Sequence, residues 1–180
     1  MRRSPFLMLP LVAAGGLVAM ASAAFADPSP VANAVIATSK ATSYHLSMTN
    51  PRTGPSEGDF VSPDKVHMVS KRGESILIGS TMYLKINGKW TKVNAPGVSS
   101  SPVEVMKQMQ AHGADYTSSD LGMRTVDGVA YHAYAVTNTK KHTTETVFVD
   151  AAGRLGRVET GGSTMTFSKY AEAISIQPPI

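Results

Sequence analysis

Residues 63–93, Pro-Asp-Lys-Val-His-Met-Val-Ser-Lys-Arg-Gly-Glu-Ser-Ile-Leu-Ile-Gly-Ser-Thr-Met-Tyr-Leu-Lys-Ile-Asn-Gly-Lys-Trp-Thr-Lys-Val, decide how this chain folds. Gly79-Ser80 separates Ser75-Ile76-Leu77-Ile78 from Thr81-Met82-Tyr83-Leu84 and suits a hairpin turn with Gly first. Asn87-Gly88 is the strongest short hairpin signal, because both residues tolerate positive φ. A two-residue turn there sets Ile86 opposite Lys89, Lys85 opposite Trp90 and Leu84 opposite Thr91. Side chains alternate along a strand, so Met82, Leu84, Ile86 and Val93 share one face. Tyr83, Lys85, Trp90 and Lys92 share the other. The first face reads as core or cavity. On the second, Trp90 packs beside Tyr83 with the Lys85 ammonium near its ring, a cation–π arrangement.

Working outward, Tyr44 to Thr49 alternates with the period of a strand. Asn50 to Gly58, rich in Pro, Gly and polar residues, reads as a loop. Asp59 to Lys71 returns as strand, broken at Pro63, which has no N–H for a central ladder. Val31 to about Ala41 reads as a short helix capped by Ser29. Ser101-Pro102-Val103-Glu104 starts a second helix with a capping box, and this helix runs to about Ala111 before Gly113 ends it. Past it, Asp127-Gly128 joins Tyr116–Val126 to Val129–Thr137, placing Leu121, Met123, His132, Tyr134 and Val136 on one face. Arg124, Tyr131 and Ala133 take the other. Thr143–Asp150 and Leu155–Thr160 flank a type I turn closed by Gly153. Gly161-Gly162 leads into Ser163–Lys169, and Ile174-Ser175-Ile176 reads as a last edge strand. About eight or nine strands and two helices make a mostly antiparallel α+β domain.

The chain starts with Arg2-Arg3, an apolar run from Phe6 to about Met20, and Ala24-Phe25-Ala26. That is the pattern of a secretory signal peptide over residues 1–26, cleaved before Asp27. Gly15, Gly16 and Pro10 interrupt the run, which is marginal for crossing about 30 Å of hydrocarbon. Residues 27–180 then form a single domain, of a size that buries roughly 68–70% of its unfolded surface. Cysteine is absent, which excludes disulfides, thiol chemistry and a lipid-modified N-terminus. The expected location is periplasmic or secreted, with no stable membrane span after processing. The net charge is +4, and removing Arg2 and Arg3 leaves 4 − 2 = +2. Lys71-Arg72 and Lys140-Lys141 flank turns, where paired cations are solvated strand ends, so nucleic acid is not an expected partner.

The residues of catalysis are missing from recognisable patterns. No Gly-x-Ser-x-Gly elbow occurs. His45, His67, His112, His132 and His142 never fall at close metal-ligand spacing, so no metal is expected. Asp59, Asp64, Asp127 and Asp150 sit at strand starts and turns, where Asp serves the backbone. No Gly-rich phosphate loop precedes a helix, and no cofactor is expected. The chain does not read as an enzyme.

The run Val66-His67-Met68-Val69, then Ile78 to Thr91 with its Tyr-x-Lys and Gly-x-Trp cadence, resembles the central hairpins of the LolA/LolB-like and LppX-like periplasmic lipid carriers. So do Val147-Phe148-Val149-Asp150, Gly153 to Glu159, Met165 to Tyr170 and Ile176-Gln177-Pro178. The resemblance spans most of residues 43–178 in order. It implies an unclosed half-barrel, a strongly curved antiparallel sheet whose concave side is covered by the helices around a cavity for acyl chains. The chain departs from the LppX-like group in lacking a lipobox cysteine, and no residue matches a known cargo contact. Residues and resemblance together lead to an exported soluble carrier of a lipid or other apolar ligand. Its expected lining is Met48, Met68, Met82, Leu84, Ile86, Met123, Tyr134 and Phe148. The alternative is a protein-interaction module using the convex face or a sheet edge, with Tyr83, Trp90 and Tyr131 as aromatic anchors.

Overall fold

A computed structural model describes residues 29–95 and 115–180. The signal-peptide region and the helix expected from Ser101 lie outside the described residues. The first element is helix α1 (Pro30–Ser39), followed by strands β1 (Ser43–Asn50), β2 (Gly54–Val61), β3 (Lys65–Ser70), β4 (Gly73–Ile78), β5 (Thr81–Ile86) and β6 (Lys89–Asn94). Then come β7 (Tyr116–Val126), β8 (Val129–Asn138), β9 (Thr143–Val149), β10 (Leu155–Thr160) and β11 (Ser163–Ser168). They form one unclosed, curved, 11-stranded sheet in the order β6-β5-β4-β3-β2-β1-β11-β10-β9-β8-β7. Every neighbouring pair is antiparallel.

Turn chemistry holds the hairpins in the register expected of them. Asn87 and Gly88 take φ of 51° and 77°, and Ile86 faces Lys89, Lys85 faces Trp90 and Leu84 faces Thr91. Asp127 and Gly128 do the same at 50° and 80°. Two chain segments differ from the sequence reading. Gly54 to Gly58 is strand rather than loop, because β2 pairs along the whole of β1, from Ser43 with Val61 to Asn50 with Gly54. Pro55 is tolerated since it lies beyond the β3 ladder, whose last pair is Ser56 with Ser70, so its missing N–H withholds nothing there. The sheet has 11 strands, more than the eight or nine expected. Ile174–Ile176, conversely, is no strand. Its side chains pack onto the sheet: buried Ile176 and half-buried Ile174 lie against Ile76, Tyr83 and Trp90.

Helix α1 is only ten residues long, too short to be stable by itself in water. Ser29 caps it by accepting from the Ala32 N–H at 3.3 Å, and Pro30 pre-forms its first turn. Packing supplies the rest. Val31, Ala34 and Val35 are buried against Tyr134, Val136, Val147, Val149, Leu155 and Val158 of β8 to β10. At its C-terminal end the Leu155 N–H donates to the Thr38 hydroxyl at 2.9 Å, and the Tyr170 hydroxyl donates to the Leu155 carbonyl at 2.6 Å. The Arg154 guanidinium covers the Tyr170 ring at 4.1 Å. Burial holds the Tyr170 hydroxyl proton well above the ordinary range. The helix is thereby fixed across one face of the sheet.

Candidate apolar binding face

Because side chains alternate, the pairings sort every strand residue onto the helix-bearing face or the opposite one. One row on the helix-bearing face runs across the sheet through Asp120, Tyr134, Val147, Val158, Met165 and Met48. A neighbouring row runs Phe167, Leu46, Gly58, Met68, Ser75, Leu84 and Thr91. Leu77, Met82 and Val93 share this face. Leu46, Met48 and Met165 form a buried cluster with Tyr44, Met68 and Phe167 packed beside it. Tyr44 stacks on Phe60 at 4.7 Å between centroids and meets Phe167 at 5.8 Å. Burial raises the Tyr44 hydroxyl to about 12, so it stays neutral at any physiological pH. Gly58 is what makes room for Met68, since a Cβ there would overlap the Met68 sulfur. The result is a wide apolar surface rich in methionine, the side chain that adapts best to irregular apolar partners.

Seven of the eight expected lining residues lie on this face, but not equivalently. Met48, Met82 and Tyr134 are buried, and Met68 and Leu84 are half-buried. Ile86 and Met123 stand at the sheet's outer ends and are 48% and 66% exposed. Phe148 is on the opposite face. It pairs with Ala133 and meets Tyr131 edge-on at 5.9 Å, and is buried there. The apolar run Val147-Phe148-Val149 is buried on both faces, so composition alone does not show which way its middle residue points. Met165 and Leu46 are lining residues that sequence reasoning missed. Their place depends on β1 meeting β11, a pairing between distant segments that no local pattern announces.

One end of this face is polar. Glu145 lies two residues from Val147 along β9 and opposite Val136 of β8. The Thr160 hydroxyl bonds to its carboxyl, Thr160 pairs with Ser163, and the Asn50 amide donates to the Ser163 hydroxyl at 2.9 Å. Glu145 is 9% exposed, and its Oε2 has no hydrogen-bond partner among the described residues. Burial pushes its pKa up to about 6, against the smaller lowering effect of Thr160. Its alternation with Val147 was legible in the sequence. Its burial was not.

At the β7–β8 end, the Asp120 carboxylate bonds to His132 at 2.7 Å, and His132 stacks on Tyr134 at 4.8 Å. The Gly122 N–H and then His132 lower the Asp120 pKa. A bulge between Asp120 and Gly122 leaves Leu121 as the extra residue, so Asp120, and not Leu121 as expected, stands opposite Tyr134.

The opposite face is mostly polar between two apolar ends. His45 bonds to Asp59 at 2.7 Å and to Glu57 at 2.9 Å. Glu74 accepts from Lys85 at 2.8 Å and meets His67 at 3.0 Å, and these bonds lower its pKa, Lys85 first. Lys85 sits 5.4 Å from the Trp90 ring, the expected cation–π contact. Of the expected anchors, Trp90 is half-buried, while Tyr83 is buried under Ile176 and Tyr131 against Phe148. Among the described residues no group of His, Cys, Asp and Glu is placed to hold a metal ion. No described helix is long and apolar enough to cross a membrane.

Comparison with known proteins bears on the architecture. No family model matches the chain, and no curated protein matches it. Two solved structures are similar over nearly their whole length. The lipoprotein LppX of Mycobacterium tuberculosis matches with a TM-score of 0.59 and 15% identity, over 83% of this chain and 97% of that one. LprF of Mycobacterium bovis matches with a TM-score of 0.58 and 16% identity, over 82% and 93%. Identity this low speaks for the fold alone. The chain thus has the LppX-like fold that its hairpins resemble in sequence.

Proposed function

We propose that this protein is an exported, non-catalytic carrier that holds a lipid or other apolar ligand against the helix-bearing face of its sheet. The observation that carries this reading is the one-sided distribution of its methionines. Met48, Met68, Met82, Met123 and Met165 share the face that α1 crosses. Flexible, polarizable side chains gathered on one face suit a surface that receives variable acyl chains. The LppX-like fold agrees with this role. The interaction-module alternative is weakened, because Tyr83 and Tyr131 are spent inside the fold.

Mass spectrometry of organic extracts, from protein purified out of its native compartment, tests the reading. An apolar compound in stoichiometric amount is the expected result. Leu84→Arg is expected to lose that compound while keeping the far-ultraviolet circular dichroism of the parent, since Leu84 is only half-buried. Val69→Arg, on the opposite face and 44% exposed, is expected to retain it. An extract without any apolar compound, or equal loss in both variants, overturns the proposal.

A further inference from the structure

Glu145 is the one buried side-chain polar atom left without a hydrogen bond among the described residues, through its Oε2. Carboxylates are rarely buried unless they are paired. Leaving an acceptor unsatisfied in low dielectric forfeits the hydrogen bonds that water would have made. The neighbouring groups do not compensate. Val136 faces Glu145 across β8, and Val147 and Val158 lie one step along the face. Thr160 reaches the carboxyl but leaves Oε2 open. Beyond Thr160 the polar row continues through Ser163 and Asn50. The apolar cluster of Leu46, Met48, Met165 and Met68 begins directly beside that row.

Building on the proposed lipid-carrier role, we infer that Glu145 is the headgroup contact of the site. Its open carboxylate oxygen accepts a hydrogen bond from a hydroxyl or ammonium group on an otherwise apolar, single-headed amphiphile. The tail of that ligand lies along the methionine-lined rows toward β1 and β3, and the head sits in the row of Glu145, Thr160, Ser163 and Asn50. An ionised carboxylate accepts and cannot donate. A ligand whose head only accepts, such as an ether or an ester, therefore leaves Oε2 as it is. An anionic head is repelled. The ligand class thereby narrows from apolar to donor-headed.

Displacement of bound N-phenyl-1-naphthylamine fluorescence from the full chain near neutral pH tests this with three probes of one tail. Hexadecanol and hexadecylamine each offer a donor, and hexadecyl methyl ether offers none. At least one donor-headed probe is expected to displace the dye at roughly tenfold lower concentration than the ether, the ratio that one buried hydrogen bond supplies. Which of the two does so identifies the headgroup as hydroxyl or amine. In Glu145→Leu the preference is expected to vanish, and Glu145→Gln, which keeps a carbonyl acceptor, is expected to retain part of it. Equal displacement by all three probes in the parent protein, or an unchanged preference in Glu145→Leu, overturns the headgroup assignment while leaving an apolar site standing. If none of the probes binds, the carrier reading falls and takes this inference with it. The comparison in the parent protein decides the matter even if Glu145→Leu does not fold.

Discussion

Burial takes water from the Glu145 carboxyl without returning a full set of hydrogen bonds, and its folded-state pKa rises from 4.5 to about 6. For an acid shifted upward, the folded state holds its proton longer than the unfolded chain does. Stability therefore falls as pH rises from the ordinary carboxyl value to about 6, and the full cost applies above it. The shift corresponds to about 2 kcal/mol. Glu145→Gln removes the charge and is expected to be more stable than the parent by about that amount near neutral pH. Near about pH 3, where both states are protonated, the two proteins are expected to be alike. Urea unfolding at both pH values checks this, and a gain independent of pH would show that the carboxyl is not desolvated. A cost retained at this position is what a headgroup contact predicts, because an apolar residue there would serve packing better.

Among the elements, the C-terminal segment shows how a short apolar sequence is used without becoming a strand. Ile174 and Ile176 cover Ile76, Ile78, Tyr83 and Trp90 on the face away from α1. The Lys65 ammonium reaches the Ile176 carbonyl at 3.5 Å. Ile176 is 4% exposed, so Ile176→Ala is expected to cost about 2 kcal/mol, the low end for such truncations because a terminal segment relaxes easily. Trp90 is the only tryptophan and lies in the same cluster, so its emission is expected to shift to the red. An unchanged emission maximum would mean that the segment does not cover the cluster in solution. Helix α1 follows the same logic from the other side. A ten-residue helix persists because Val31, Ala34 and Val35 are buried and Thr38 is tied to Leu155.

For the molecule as a whole, the sheet consists of two local meanders, β1 to β6 and β7 to β11, joined by the single ladder of β1 with β11. Met48 faces Met165 across that seam, and Leu46 faces Phe167. Each meander closes cheaply through tight turns. The seam pairs His45 with Ser168 and must close a long loop first. Cooperativity therefore depends on the seam's apolar pairs. Met165 is 4% exposed, and Met165→Lys is expected to lower stability by about 2–5 kcal/mol and to uncouple the halves. Urea transitions followed by Trp90 fluorescence, which reports on the first meander, and by far-ultraviolet circular dichroism, which reports on both, coincide in a two-state protein. They are expected to separate in the variant. Coincident transitions in Met165→Lys would mean that the seam is not what couples the two meanders.

What the chain determines alone is local. Asn87-Gly88 and Asp127-Gly128 specify their hairpins because few residues accept positive φ, and the alternation beyond each turn then assigns a face to each side chain. That logic places Met82, Leu84, Ile86, Met123 and Tyr134 on one face, where the structure has them. It fails where the local signal is ambiguous, as for Phe148 inside a run buried on both sides, and Gly54 to Gly58, where pairing with β1 overrides a loop-like composition. Only the tertiary structure decided that β1 meets β11, that Ile176 is a cover rather than an edge, and that Glu145 is buried with an open oxygen. The physical reason is common to all three. Turns and alternation are set by neighbours a few residues away, whereas burial and cross-sheet contact depend on segments that meet only after the whole sheet has assembled.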